Sequence, residues 1–339
     1  MAFHNHTFHC AALATLLLCS CQSHMSLRAP SQEENRQMAA EANSFLTNMP
    51  AGLQDRQTEA ILQAIAGDCT ALQQVRNARN QAPMLSSNVC TRMVSPTLRL
   101  YEARESDGKR LPLLIYLHGG GWTFGSLNSC ARFCDAVAAS GHVKVLAVDY
   151  RLAPEHPYPA GLDDCLAAIA YAREHASSLG IDPKRISVGG DSAGGNLALA
   201  SALTDLEHGD IHSLVLFYPV TKAFADGSAS WTTYGKGYGL DADIMEAFNQ
   251  AYTGGRHMHD PLVSPALCNR KQLAHLPRTL LIAAGHDILR DQGKNLQHRM
   301  DRRMTRLEFP QATHLFITVP GQETAFRKSV QLTVEFLTK

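Results

Sequence analysis

Residues 188–196 read Val-Gly-Gly-Asp-Ser-Ala-Gly-Gly-Asn and contain Gly190-x-Ser192-x-Gly194. A serine can be held out on a very tight turn between a strand and a helix only if its neighbours two before and two after are small. The turn brings those two positions together. The flanks agree. Ile186-Ser187-Val188 alternates like a short strand, and residues 197–203 are apolar almost all round, as a helix buried behind the turn must be. The plain alternative is a Gly-rich turn that only joins two core elements. The strand before it and the apolar helix after it favour a nucleophile.

The rest of the chain repeats this alternation. Short apolar runs at 111–117, 143–148, 185–190, 214–218, 279–284 and 307–309 read as strands. Helical patterns at 133–139, 162–176, 291–300 and 323–337 fall between and after them. Strands alternating with helices predict an α/β fold with a mostly parallel sheet and helices on both faces. The sheet is expected to start within 93–103, and Ser106-Asp107-Gly108-Lys109 reads as a turn.

Two regions break the rhythm. Residues 22–92 hold helical patterns at 33–46, 54–65 and 69–80, none apolar enough to build its own core. Residues 220–262 hold Trp231, tyrosines, glycines and a helical pattern at 243–252. Both read as parts of a helical cap laid over residues 93–339, with Trp231 and the nearby tyrosines expected to line the pocket. Asp149 and Arg151 are expected to form a buried ion pair under a Gly-rich loop, and Asp291 to cap a helix.

Composition narrows the function classes. With 31 basic and 31 acidic residues in 339, the chain carries no formal net charge and no nucleic-acid footprint. Nine cysteines show no C-x-x-C and no metal-ligand spacing with histidine. Cys130 and Cys134, four apart, read as two core cysteines. Residues 11–18 are an apolar run too short to span a membrane, followed by Leu18-Cys19-Ser20-Cys21. This resembles the lipobox of bacterial lipoproteins. The resemblance implies a signal peptide over 1–21, a lipid on Cys21 that attaches the chain to a membrane, a mature chain from Gln22, and export to the periplasm or cell envelope.

A serine hydroxyl needs a base to take its proton and an acid to orient that base. Asp287 directly follows the apolar run 280–284, and His314 lies in the loop after 307–309. They stand in the order nucleophile, acid, histidine. His286 and Asp291 are the nearest rivals. Backbone donors for an oxyanion come from the residue after the serine, Ala193, and from Gly119, Gly120 and Gly121, which follow a buried strand.

With these residues placed, the chain resembles the hormone-sensitive-lipase-like family of α/β-hydrolases, over roughly residues 95–339. The matching runs are HGGGW at 118–122, DYRLAPEHPYPA at 149–160, DPKR at 182–185 leading to GDSAGGN at 190–196, DPLVSP at 260–265 and DILRDQG at 287–293. Gln292 stands where the family often has an acidic residue, and Leu315 where Gly or Ala is more usual. The resemblance implies an α/β-hydrolase fold with Ser192 as nucleophile, Asp287 as acid and His314 as base. Oxyanion donors are then Gly120, Gly121 and Ala193, with Gly119 shaping the loop. It implies hydrolysis of short- to medium-chain carboxylic esters with no cofactor and no metal. An amide-cleaving enzyme of the same mechanism, or a non-catalytic ligand-binding member of the fold, are the alternatives.

Overall fold

Among the described residues three helices precede the first strand: α1 (Gln32–Thr47), α2 (Leu53–Ile65) and α3 (Thr70–Arg79). The structure, a computed structural model, describes residues 27–105 and 109–339. The leader read at 1–21, with Cys21 and Gln22, lies outside the described residues, as do Ser106, Asp107 and Gly108 of the expected turn. A capping box starts α1: Ser31 Oγ accepts from Glu34 N, and Glu34 returns a carboxylate oxygen to Ser31 N.

The sheet begins earlier than the apolar pattern indicates. β1 (Val89–Ser95) and β2 (Leu98–Ala103) form an antiparallel pair, so the boundary drawn between residues 92 and 93 falls inside β1. β1 is an edge strand with most of its side chains outside the core, so it lacks the apolar run that marks its neighbours. Then follow β3 (Leu111–Leu117), α4 (Ala131–Ala138), β4 (Lys144–Val148), α5 (Ala160–Glu174), α6 (Ala176–Leu179), β5 (Ile181–Asp191) and α7 (Ala193–Thr204). Next come β6 (Ser213–Phe217), α8 (Ala229–Thr233), α9 (Ala242–Thr253), α10 (Arg270–His275), β7 (Arg278–His286), α11 (Arg290–Met300), β8 (Met304–Thr313) and α12 (Glu323–Leu337).

Eight strands lie in the order β1-β2-β4-β3-β5-β6-β7-β8. The strands β4, β3, β5, β6, β7 and β8 are parallel, and β2 pairs antiparallel with β4. Alternate residues of the central strands feed two cores. Leu113, Ile115, Val188, Leu214 and Leu216 pack with α5 and α7 on one face. Leu114, Tyr116, Val215 and Phe217 pack with α4 and α12 on the other. Every residue of α7 from Ala193 to Leu203 is buried, which explains its lack of a polar stripe.

The N-terminal helices dock onto the sheet's carboxyl end. α2 packs on α3 and α9, and Gln54 Oε1 accepts from Asp241 N at 2.8 Å. α1 packs on β8 and α12, and Glu41 accepts from both Thr324 N and Thr324 Oγ1. Ile61 and Leu72 are fully buried in the same core as Trp122 and Phe248. These helices complete a core rather than forming one.

The expected pair of Asp149 and Arg151 does not form. β4 ends at Val148, Asp149 faces solvent, and exposed Arg151 grips Asp164 at 2.9 Å. Other groups support the Gly-rich loop. Tyr150 Oη donates to His118 O at 2.6 Å. Arg76 of α3 donates to Thr123 O (2.8 Å) and Ala153 O (2.9 Å) and pairs with Glu155 (2.6 Å), with only 13% of its side chain exposed. Asp291 is not the N-cap of its own helix either. It sits in the first turn of α11, and its Oδ2 accepts from Ser230 N at 2.9 Å, tying α8 to α11.

Arg76→Ala strands two carbonyls and a carboxylate that is one-third exposed. The expected cost is about 2 kcal/mol, discounted for that exposure. It reads as a lower urea midpoint at unchanged slope, and Arg76→Lys should recover only part of it, because it restores the charge without the fork. An unchanged midpoint in Arg76→Ala would contradict this anchoring role.

Candidate active site

β5 runs into α7 through a turn with no room for side chains at two positions. A Cβ on Gly190 would stand 2.4 Å from Leu117 O, and one on Gly194 would stand 2.0 Å from the same oxygen. Ser192, between them, has φ 53° and ψ −115°, a strained backbone for a residue with a Cβ. Ser192 N donates to Phe217 O (2.9 Å), and Ser192 O accepts from Val220 N (3.2 Å). Asn196, one turn into α7, donates to Val220 O and Val263 O at 3.0 Å each, joining the turn to the 260–265 loop.

Ser192, His314 and Asp287 are brought together. His314 Nδ1 lies 2.8 Å from Asp287 Oδ2, where it can donate, and Nε2, the acceptor of the neutral ring in that tautomer, faces Ser192 Oγ at 3.1 Å. Both His314 and Asp287 are buried. The second oxygen of Asp287 accepts from Leu289 N at 2.9 Å. The histidine loop is clamped by Gln322, which accepts from Thr313 N (3.0 Å) and donates to His314 O (3.1 Å). The ring of Tyr218 lies 4.3 Å from the imidazole, and its hydroxyl accepts from Ile317 N. Leu315 carries φ 73° where a glycine would be unstrained. The rivals lie apart from this line. His286 packs between Tyr234 and Tyr238, and Asp291 serves Ser230 and Arg290.

The Gly-rich loop leaves the end of β3, next to β5, with Leu117 opposite Gly190 in register. Gly119 N is already taken: it donates to Asp191 Oδ1 at 3.0 Å, so Gly119 fixes the loop and does not face the cavity as a free donor. Gly120 and Gly121 donate to no group among the described residues. Ala193 supplies the first N–H of α7, which has no partner within the helix. Phe248 of α9 presses on the loop; a Cβ on Gly121 would stand 2.1 Å from its ring. Thus Gly120 and Gly121 line the same cavity as Ser192, and Ala193 follows Ser192 directly at the start of α7.

Asp191 also accepts from Tyr116 Oη at 2.9 Å. Its burial pushes the carboxyl up to about 6, against the pull of Tyr116 and Gly119. His118 is buried against Tyr150 (4.2 Å, stacked), and burial lowers its imidazole to about 4, which keeps the ring neutral. Sequence reasoning missed Tyr116, Tyr218 and Gln322. Tyr116 and Tyr218 act across 75 and 99 positions, Gln322 acts from only eight or nine residues beyond the histidine loop, and no local motif marks any of them.

The turn opens on a cavity of about 1040 Å³ that reaches Ser192, His314, Gly120 and Gly121. Its apolar walls include Phe45, Leu53, Ile244 and Phe248, from α1, α2 and α9. Trp231 and the nearby tyrosines, expected to line it, do not; Trp231 packs against the core under α8. Among the described residues no group of three or more His, Cys, Asp or Glu could hold a metal ion, and no helix is long and apolar enough to cross a membrane. The six cysteines in them are free thiols.

A profile described as alpha/beta hydrolase fold matches residues 114–318. Carboxylesterase NlhH of Mycobacterium tuberculosis is 41% identical over 188 residues, 54% of this chain and 58% of the relative, so the chain spans little more than half of it. Ethyl acetate hydrolase of Pseudomonas putida is 37% identical over 228 residues, 65% of this chain and 71% of the relative. Among solved structures, a hyperthermophilic esterase from the archaeon Pyrobaculum calidifontis superposes with a TM-score of 0.71 at 29% identity, covering 86% of this chain and 98% of that one. With its sheet, its turn at Ser192 and its motifs, this chain belongs to the alpha/beta hydrolase fold family, in the hormone-sensitive-lipase-like branch that those motifs resemble.

Proposed function

We propose that the chain is a serine carboxylic-ester hydrolase that works through an acyl-enzyme. The observation that carries this is the line Asp287–His314–Ser192, at 2.8 and 3.1 Å, opening on a cavity that Gly120 and Gly121 also line. Ser192 Oγ attacks the ester carbonyl while His314 Nε2 takes its proton, and Asp287 stabilises the resulting imidazolium. The oxyanion rests on the amides of Gly120, Gly121 and Ala193, aligned before the reaction starts. His314 returns its proton to the leaving alcohol, then activates a water that releases the acid. The relatives are named for ester hydrolysis, which favours esters over amides, and the apolar walls suit short to medium acyl chains.

We also propose export, with the lipid on Cys21. The run Leu18-Cys19-Ser20-Cys21 after an apolar stretch supports it. A mature chain that starts at acylated Cys21, read by mass spectrometry from a bacterial host, is the expected result. Recovery of unprocessed Met1 would overturn it.

Purified protein should hydrolyse p-nitrophenyl acetate and butyrate. Ser192→Ala should lower kcat by roughly 10⁴-fold or more, and Asp287→Asn by about 10⁴-fold. Activity that survives in Ser192→Ala would sink the esterase reading.

Asp191 yields a pH prediction. Its carboxyl stands near 6 in the fold against an ordinary 3.8, so between those values the native state holds the extra proton. The contribution of this one group is therefore fully present below about 3.8 and is lost as pH rises through about 6, by on the order of 3 kcal/mol. Asp191→Asn, which keeps an acceptor for Tyr116 and Gly119, should flatten this part of the profile. Denaturation midpoints from pH 4 to 7 that run parallel in both proteins would contradict it.

A further inference from the structure

One charged side chain in the cavity has no partner. Arg79, the last residue of α3, lines the cavity that holds Ser192. It is partly buried, and among the described residues it makes no ion pair and no hydrogen bond. It lies over an aromatic ring, with the guanidinium carbon 5.1 Å from the ring centre of Phe124. Phe124 ties this position to the oxyanion loop, since its N–H donates to Gly120 O at 2.8 Å.

The other arginines nearby are engaged. Arg76, one turn earlier, is taken up by Glu155 and two carbonyls. Arg132, the other cationic residue in the cavity wall, pairs with Glu323 and lies over Phe326. Among the described residues no aspartate or glutamate lines the cavity. Asp191 attracts Arg79 from a distance, and its Oδ1 is already used by Tyr116 and Gly119. Burial pulls the guanidinium down from its ordinary value, yet an arginine stays charged. A guanidinium drawn partly out of water and left unpaired is costly, and a bidentate carboxylate recovers that cost.

We propose that Arg79 binds a free carboxylate on the substrate, so that the preferred esters carry a second, ionised acid group. This rests on the serine-esterase reading and names its substrate class. The acid group sits on the acyl side in a half-ester of a dicarboxylic acid, or on the alcohol side in an acyl ester of a hydroxy acid.

Two isosteric pairs test both cases. Monoethyl succinate is set against ethyl succinamate for the acyl side, and 4-acetoxybenzoate against 4-acetoxybenzamide for the alcohol side. In at least one pair the anion should be favoured in kcat/KM by about tenfold or more. Arg79→Gln should remove that preference, and Arg79→Lys should keep part of it. No preference for either anion, or a preference that Arg79→Gln leaves in place, overturns the proposal. So does a loss in Arg79→Gln that lowers both members of a pair alike, which marks a structural role.

A binding measurement separates this idea from the chemistry. Calorimetry on Ser192→Ala protein should detect succinate or 4-hydroxybenzoate, and adding Arg79→Gln should weaken that binding about tenfold. Arg79-dependent binding, together with a wild-type protein that does not hydrolyse p-nitrophenyl acetate, supports the carboxylate site while the esterase reading falls. Hydrolysis intact without Arg79-dependent binding overturns the site alone.

Discussion

The carboxylate of Asp191 is the point on which the site turns. It ends β5 directly before Ser192, and one of its oxygens holds both Tyr116 of β3 and the first amide of the oxyanion loop. The nucleophile and the loop that must face it come from two different strand ends. Register alone, with Leu117 opposite Gly190, brings those ends side by side. The buried acceptor then fixes the loop against the turn. A buried carboxylate is expensive unless its lone pairs are satisfied, so its two donors are as much a condition of folding as of geometry.

Strain at Ser192 is the counterpart of that rigidity. The turn closes only because Gly190 and Gly194 let the chain pass within contact of Leu117 and His118 carbonyls. Residues held in such backbone conformations persist when their surroundings over-determine them. Here the surroundings are hydrogen bonds from Ser192 N to Phe217 O and from Val220 N to Ser192 O, with α7 wholly buried behind them. The cap adds a second constraint. Phe248 seats on Gly121, and Arg76 holds Thr123, so α9 of the insertion and α3 of the N-terminal segment both bear on the oxyanion loop.

The parts legible in the sequence are those written in local pattern. Apolar runs marked the central strands because these are buried on both faces. The glycines around Ser192 and at 119–121 marked the turn and the loop because only glycine fits there. Chain order brought Asp287 and His314 to the same place. What stayed hidden depends on long-range pairing. β1 is an edge strand with no apolar run. The support under the loop falls to Arg76, 79 positions from Glu155, and not to the nearby Asp149 and Arg151. Asp149 and Arg151 looked paired because they sit in one motif, yet the end of β4 turns Asp149 to solvent. The cavity walls were misassigned to Trp231 for a similar reason: an aromatic residue in a cap can as well fill the core beneath it.

The central claim is that one serine, made reactive by the geometry around it, carries the acyl group. Treatment with diethyl p-nitrophenyl phosphate, followed by peptide mass spectrometry, tests it most directly. One diethylphosphoryl group per chain, on the peptide that contains Ser192 and on that side chain, is the predicted result. A protein that hydrolyses esters while the label falls on another residue, or on none, would contradict it.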